Sequence, residues 1–209
     1  MFLETLDTEQ LNLLIRLSEK KEVTDSFYLA GGTALALQLG HRESYDLDFF
    51  NENKFDSERY ERIIINDFGG TINSISEDTV NGQINNISIS FFLYPYKLLR
   101  EFKNYLNIKI ASIEDLACMK CKAISQRNTK RDFYDIYEIL KKMHPLELKN
   151  YLLEKFNVNG NSFYHLNRSF LYFEEAEKNA DPVSLNGTSW EEVKNYFIKN
   201  QTKFLKTFS

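Results

Sequence analysis

The sequence predicts an α+β fold, with strands and helices mixed over roughly the first 110 residues and a helical part behind them. Three observations carry this. Segments of strand character lie at Ser26–Ala30, Tyr45–Phe50, Thr71–Ser76, Thr79–Ile84 and Ile87–Tyr94, all in the first half. From Ser112 onward the apolar residues recur instead at helical spacing. The chain is 209 residues with 43% hydrophobic and 27% charged residues, ordinary values for a folded domain and far from those of a disordered one. No apolar run approaches the roughly 18 residues of a membrane helix, and the N-terminus does not read as a signal peptide, so a cytoplasmic protein is expected.

Taken in order, Thr8 is positioned to cap a helix reaching about Lys20, with Leu11, Leu14 and Ile15 on its apolar side. Ser26–Ala30 reads as a short buried strand, broken by Gly31-Gly32. Thr33–Leu39 then reads as a helix closed by Gly40. The second strand, Tyr45–Phe50, is followed by a helix over 56–68. The next three strands form an antiparallel run with Asn85-Asn86 at one turn, ended by Pro95. Ser112 opens a helix with Asp115 three residues on, resembling a capping box. Further helices are expected at 131–143, 146–156, 163–179 and 189–206, the last started from Thr188 or Ser189. The expected division is therefore 1–110 and 111–209.

The formal net charge of −4 argues against a generally basic nucleic-acid coat. The halves differ, however. Residues 1–104 hold 17 acidic against 10 basic residues, and residues 105–209 hold 13 against 16. The chain average therefore hides a polarity and does not exclude RNA. Cys118 and Cys121 form a single Cys-x-x-Cys inside a predicted helix. With no second pair, zinc lacks its ligands, and two reduced thiols one turn apart is the simpler reading. His144 and His165 have no evident partner.

Chemistry is concentrated in a few residues. Alternation along a strand puts Asp46 and Asp48 on one face, about 7 Å apart at Cα, with Leu47 and Phe49 turned to the core. Two such carboxylates repel unless a cation lies between them, and hard oxygen ligands suit Mg²⁺ or Mn²⁺. The alternative is a solvent-facing edge strand. Gly31-Gly32 stands where a strand feeds a helix, either an ordinary turn or an anion site of backbone N–H groups. Thr33 adds a hydroxyl there or caps the helix. Lys120 falls in the apolar stripe of its helix and either snorkels or holds a phosphate. Asp132 and Asp135 are helical neighbours three apart. They either complement the helix dipole, or orient Lys120 or Arg127, or supply a base.

Two runs, LAGGTALALQLGHRESYDLDFF from Leu29 to Phe50 and KRDFYDIY from Lys130 to Tyr137, resemble the AbiEii/AbiGii toxin family. Its members are nucleotidyltransferase-like proteins of the DNA polymerase β superfamily, found in type IV toxin–antitoxin and abortive-infection (phage-defence) systems. The resemblance spans roughly residues 8–143. It implies a minimal nucleotidyltransferase-type mixed sheet with flanking helices and a helical C-terminal part that completes the active site.

It further implies that Gly31, Gly32 and Thr33, with Arg42 and Lys120, bind the nucleotide. Asp46 and Asp48 would hold the metal, Lys120 would be the family's lysine, and Asp132 and Asp135 its acidic motif. Many members of the superfamily carry a third metal-site carboxylate on a later strand, where this chain has Ser88 and Ser90.

The resulting expectation is a monomeric Mg²⁺-dependent (or Mn²⁺-dependent) enzyme transferring NMP from an NTP, with GTP or CTP as candidates. The acceptor expected is RNA, a tRNA 3′ end first, with Lys122, Arg127, Lys130 and Arg131 as phosphate contacts. A winged-helix antitoxin is the expected genetic partner. The alternatives are a protein nucleotidyltransferase and a non-catalytic NTP-binding module.

Overall fold

Strand β1 (Tyr28–Ala30) is cut to three residues by Gly31, whose φ of +69° turns the chain straight into helix α3 (Gly31–Leu39). The computed structural model describes residues 1–157 and 160–208, with Gly160 and Asn161 described in backbone only. Strand β2 (Asp46–Asn51) returns antiparallel to β1, pairing Ala30 with Asp48. Strands β3 (Thr71–Ser76), β4 (Thr79–Ile84) and β5 (Ile87–Leu93) form an antiparallel meander, and β5 lies parallel to β2. Asn85 and Asn86 make the β4–β5 turn in the left-handed region, which Asn tolerates.

Two short strands were not anticipated. These are β6 (Lys103–Tyr105) and β7 (Ile108–Ile110), joined through Leu106 at φ +53°. Three residues are too few for alternation to register. Strand β7 lies parallel to β1 and completes a seven-stranded mixed sheet of order β3-β4-β5-β2-β1-β7-β6. Strand β2, which carries the paired acids, is thus central rather than an edge.

The helices depart from expectation at their ends. In α1 (Thr8–Ser18) the cap is Asp7, which forms a capping box with Gln10, so Thr8 is the first helical residue. A short α2 (Lys21–Ser26) precedes β1, where strand was expected to begin at Ser26. Helix α4 (Ser57–Arg62), capped by Asp56, runs on as a π turn through Asp67. Gly40 ends α3 at φ +67°, as its position predicts.

Beyond β7 the described chain is helical. Helix α5 (Ile113–Gln126) is capped by Ser112 and followed by α6 (Lys130–Leu140) and α7 (Pro145–Phe156). His144 does have a partner: its Nδ1 accepts the Leu146 amide at 3.2 Å and caps α7. The helix expected at 163–179 is instead α8 (Gly160–Phe170) and α9 (Glu174–Glu177). The helix at 189–206 is α10 (Trp190–Lys199), capped by Ser189, and α11 (Gln201–Thr207), broken at Asn200.

One contiguous core joins the sheet to these helices. Leu35, Leu47, Phe49, Ile110, Leu116, Phe133, Phe170 and Phe197 are all wholly buried within it. Helix α3 packs on β1, β2, α5 and α6, so the Gly31 turn, β2 and the KRDFYDIY helix meet. Asp115 accepts the Ser112 hydroxyl at 2.8 Å but forms no capping box with the Ser112 amide. It pairs instead with Lys155 at 2.6 Å and accepts the Leu99 and Arg100 amides, tying α5, α7 and the loop before β6. Cys118 and Cys121 are free and buried, and burial pushes the Cys118 thiol up to about 12. Among the described residues no helix is long and apolar enough to cross a membrane.

Candidate active site

The pleat of β2 turns Leu47 and Phe49 into the core and leaves Asp46 and Asp48 on the opposite face. In the neighbouring strand Ser88 pairs with Asp46 and Ser90 with Asp48. The two serines therefore stand beside the acids where a third carboxylate would otherwise be. Burial and the charge of Asp46 push the Asp48 carboxyl up to about 6, against the opposing pull of Lys120, Arg127 and a Ser90 hydrogen bond.

The glycine turn is shaped by this pair. A Cβ on Gly31 would lie 2.6 Å from Asp48 Oδ2, and one on Gly32 would lie 2.7 Å from an Arg42 terminal nitrogen. Only glycine lets both side chains press against the first turn of α3. Thr33 is buried, with its hydroxyl hydrogen-bonded to the Asp46 carbonyl and, at 2.9 Å, to Ser44. It latches α3 to the start of β2, a use of its hydroxyl different from both sequence alternatives.

Lys120 is 4% exposed, and its place in an apolar stripe is explained by two carboxylates. Its Nζ lies 3.1 Å from Asp132 Oδ1 and 2.5 Å from Asp135 Oδ2. Arg127 reaches Asp132 through Nε at 2.8 Å and Nη2 at 2.9 Å, and the Thr129 hydroxyl donates to the same carboxylate at 2.7 Å. Arg42, also buried, grips Asp135 through Nε at 2.8 Å and Nη2 at 2.9 Å, and His41 Nε2 donates to it at 2.7 Å. Burial alone would raise both carboxyls. The Lys120 and Arg127 charges hold Asp132 well below the usual range, and Arg42 and Lys120, with the His41 and Arg42 hydrogen bonds, do so for Asp135.

The expected phosphate contacts divide. Arg127 stays largely exposed while gripping Asp132, and Arg131 Nη1 stands 3.4 Å from Asp46 Oδ2 at the rim. Lys122 and Lys130 are engaged inside the protein. Lys122 lies 3.1 Å from the Tyr96 hydroxyl, among the rings of Tyr94, Tyr96 and Phe156. Lys130 is buried against Trp190 and paired with Asp181 at 2.7 Å. Sequence reasoning overlooked His41 and gave Arg42 no partner. A basic pair directly behind the Gly40 cap was the available signal.

Among the described residues no group of three or more His, Cys, Asp or Glu is placed to hold a metal. Two hard carboxylates on one face, one of them kept reluctant to ionise by the other, nevertheless fit a divalent cation. Mg²⁺ commonly takes one or two protein carboxylates and completes its shell with phosphates and water.

The model of the family described as "Nucleotidyl transferase AbiEii toxin, Type IV TA system" matches residues 13–92 and 93–189. The chain belongs to this family of nucleotidyltransferases. An uncharacterized protein of Aquifex aeolicus (strain VF5) is 38% identical over 195 residues, covering 88% of this chain and 90% of its own. Among solved structures, JHP933 from Helicobacter pylori superposes with a TM-score of 0.57 at 20% identity, over 97% of this chain and 94% of its own. MenT4, a nucleotidyltransferase toxin from Mycobacterium tuberculosis H37Rv, gives a TM-score of 0.52 at 13% identity, over 88% and 79%. At these identities the two structures are alike in fold.

Proposed function

We propose that this chain transfers NMP from an NTP to an RNA hydroxyl, with a tRNA 3′ end as the first acceptor to test. The observation that carries the reading is the placement of Asp46 and Asp48 opposite the Lys120–Asp132–Asp135 cluster, with the Gly31 turn packed on Asp48. Asp46 and Asp48 would hold a divalent cation, Mg²⁺ or Mn²⁺, which when bound offsets the charge of the triphosphate.

The other roles follow from this chain's own groups. The backbone N–H groups at Gly31 and Gly32, at the positive end of α3, receive phosphate oxygens. Lys120 supplies a fixed positive charge beside Asp48. Asp132 and Asp135 are buried and held ionised by cations, which suits them to orient Lys120 rather than to take up a proton. Arg42 and His41 hold Asp135 in turn. In the reaction the acceptor oxygen bonds to the α-phosphorus and the bond to the β-phosphate oxygen breaks. Pyrophosphate leaves with that electron pair, and the hydroxyl proton passes to water. Positioning and preset charge supply most of the rate.

The test incubates purified protein with each of four α-labelled NTPs and Mg²⁺, against total RNA and against lysate protein. Label in the tRNA band is the expected result. Label in protein alone would make this a protein-modifying enzyme, and tight NTP binding without label in either pool a binding module. Toxicity, action in phage defence and a winged-helix antitoxin partner belong to the same reading. Induced expression should slow growth, and co-expression of a neighbouring regulator should relieve it.

A further inference from the structure

A cleft of about 630 Å³ runs between the C-terminal end of α5 and the turn that follows α8. It is lined by Arg127, whose guanidinium bonds the buried Asp132 carboxylate, so one side chain separates the cleft from the Asp132–Lys120 pair. Asn128, at φ +51° and buried, ties the two helices together by donating from Nδ2 to the Ser169 carbonyl at 3.0 Å. The opposite wall carries His165, Arg168 and Tyr172. Tyr172 is 45% exposed. Arg168 has no carboxylate partner among the described residues, and its guanidinium lies 5.9 Å over the Tyr164 ring. The one acid on the cleft, Glu175, is paired with Lys178 at 2.6 Å.

We propose that this cleft seats the terminal nucleotides of a single-stranded RNA acceptor, Tyr172 and His165 stacking on a base and Arg168 holding a phosphate. The inference rests on the transfer reading above and adds to it the place where the acceptor lies. Its volume is within the range that encloses one small ligand. Exposed aromatic rings beside a guanidinium with no carboxylate partner among the described residues are groups on which single strands are recognised, since every base has a π face and every link a charge. Two of the basic residues expected from sequence to meet RNA, Lys122 and Lys130, are engaged elsewhere, which leaves Arg127, Arg131 at the rim beside Asp46, and this wall to receive a strand.

The experiment measures binding of a 5′-fluorescein oligoribonucleotide with a free 3′-hydroxyl by anisotropy, and the KM of acceptor and NTP in the transfer assay. Tyr172→Ala is expected to weaken oligonucleotide binding roughly tenfold, and Tyr172→Phe, which keeps the ring, to restore it. Arg168→Ala should weaken binding and reduce the salt dependence by about one phosphate contact. Both alanine variants should raise the acceptor KM and leave that for NTP in place. Unchanged oligonucleotide affinity in both would overturn the assignment, as would a raised NTP KM, which would make the cleft a site for the incoming base. If the wild type labels no RNA while binding still follows Tyr172 and Arg168, the transfer reading fails and, with it, the acceptor role, and the cleft stands as a single-strand binding site alone.

Discussion

Arg42 closes on Asp135 from within the protein, with Nε and Nη2 meeting the two carboxylate oxygens at 2.8 and 2.9 Å and neither side chain open to water. Asp135 in turn receives Lys120 and His41, so one residue on the loop after α3 sets the acidic motif on α6. Removing Arg42 leaves a buried carboxylate short of a partner, which commonly costs about 3–5 kcal/mol. Arg42→Ala should lower stability by that order in urea titration. Arg42→Lys should recover only part of it, because an ammonium cannot reproduce the two-pronged contact. A variant as stable as the wild type would show that the pair is not what holds Asp135.

Asp48 illustrates the opposite economy. Its charge is opposed by burial and by Asp46, so the chain without a divalent cation carries repulsion at its centre. Asp48→Asn should therefore melt higher than the wild type in a chelator at neutral pH, while transfer activity and growth inhibition are lost. A lower melting temperature together with retained activity would place the chemistry elsewhere.

At Gly31 the backbone conformation and the neighbour both exclude a side chain. Gly31→Ala adds a methyl at φ +69° and 2.6 Å from Asp48 Oδ2. The left-handed conformation alone costs roughly 1–2 kcal/mol. The displaced Asp48 should then cost at least tenfold in kcat/KM for transfer. Gly69→Ala, at φ +66° with open space around it, should show a similar backbone strain and keep the activity. Equal loss of activity in the two variants would assign the effect to stability.

Acid should loosen the site in a defined direction. Asp132 and Asp135 titrate below an ordinary aspartate in the folded chain. The stability they contribute is complete above the unfolded value near pH 4 and is lost as the pH falls below it toward their native values. Urea midpoints at pH 7, 5, 4 and 3 should show Asp132→Asn losing less between pH 4 and 3 than the wild type does. Parallel losses would mean that other carboxylates govern the acid limb.

The paired acids on one face of a strand, the glycines before a helix, the Gly40 cap, the Asn85-Asn86 turn and the helical second half were all legible, because each is set by a local period or by the backbone preference of one residue. Lys120 was legible as an anomaly: a charge in an apolar stripe announces a hidden partner without naming it. Strands β6 and β7 and the breaks at Leu171–Phe173 and at Asn200 were not legible, whereas the cap of α1 stands in the Asp7-x-x-Gln10 spacing one residue before Thr8. Three-residue strands are stabilised by neighbours far along the chain rather than by their own pattern, and the helix breaks are not marked by proline or glycine.

By itself, then, the sequence determined which residues are chemically unusual and the family to which they point. Tertiary structure decided their partners. It made β2 a central strand by pairing it with β1 on one side and β5 on the other, set Arg42 and His41 against a carboxylate more than ninety positions away, and withdrew Lys122 into aromatic rings and Lys130 into a pair with Asp181. Charge and hydrogen bonding act through distance in space, and burial decides how strongly. Neither is a property of position along the chain.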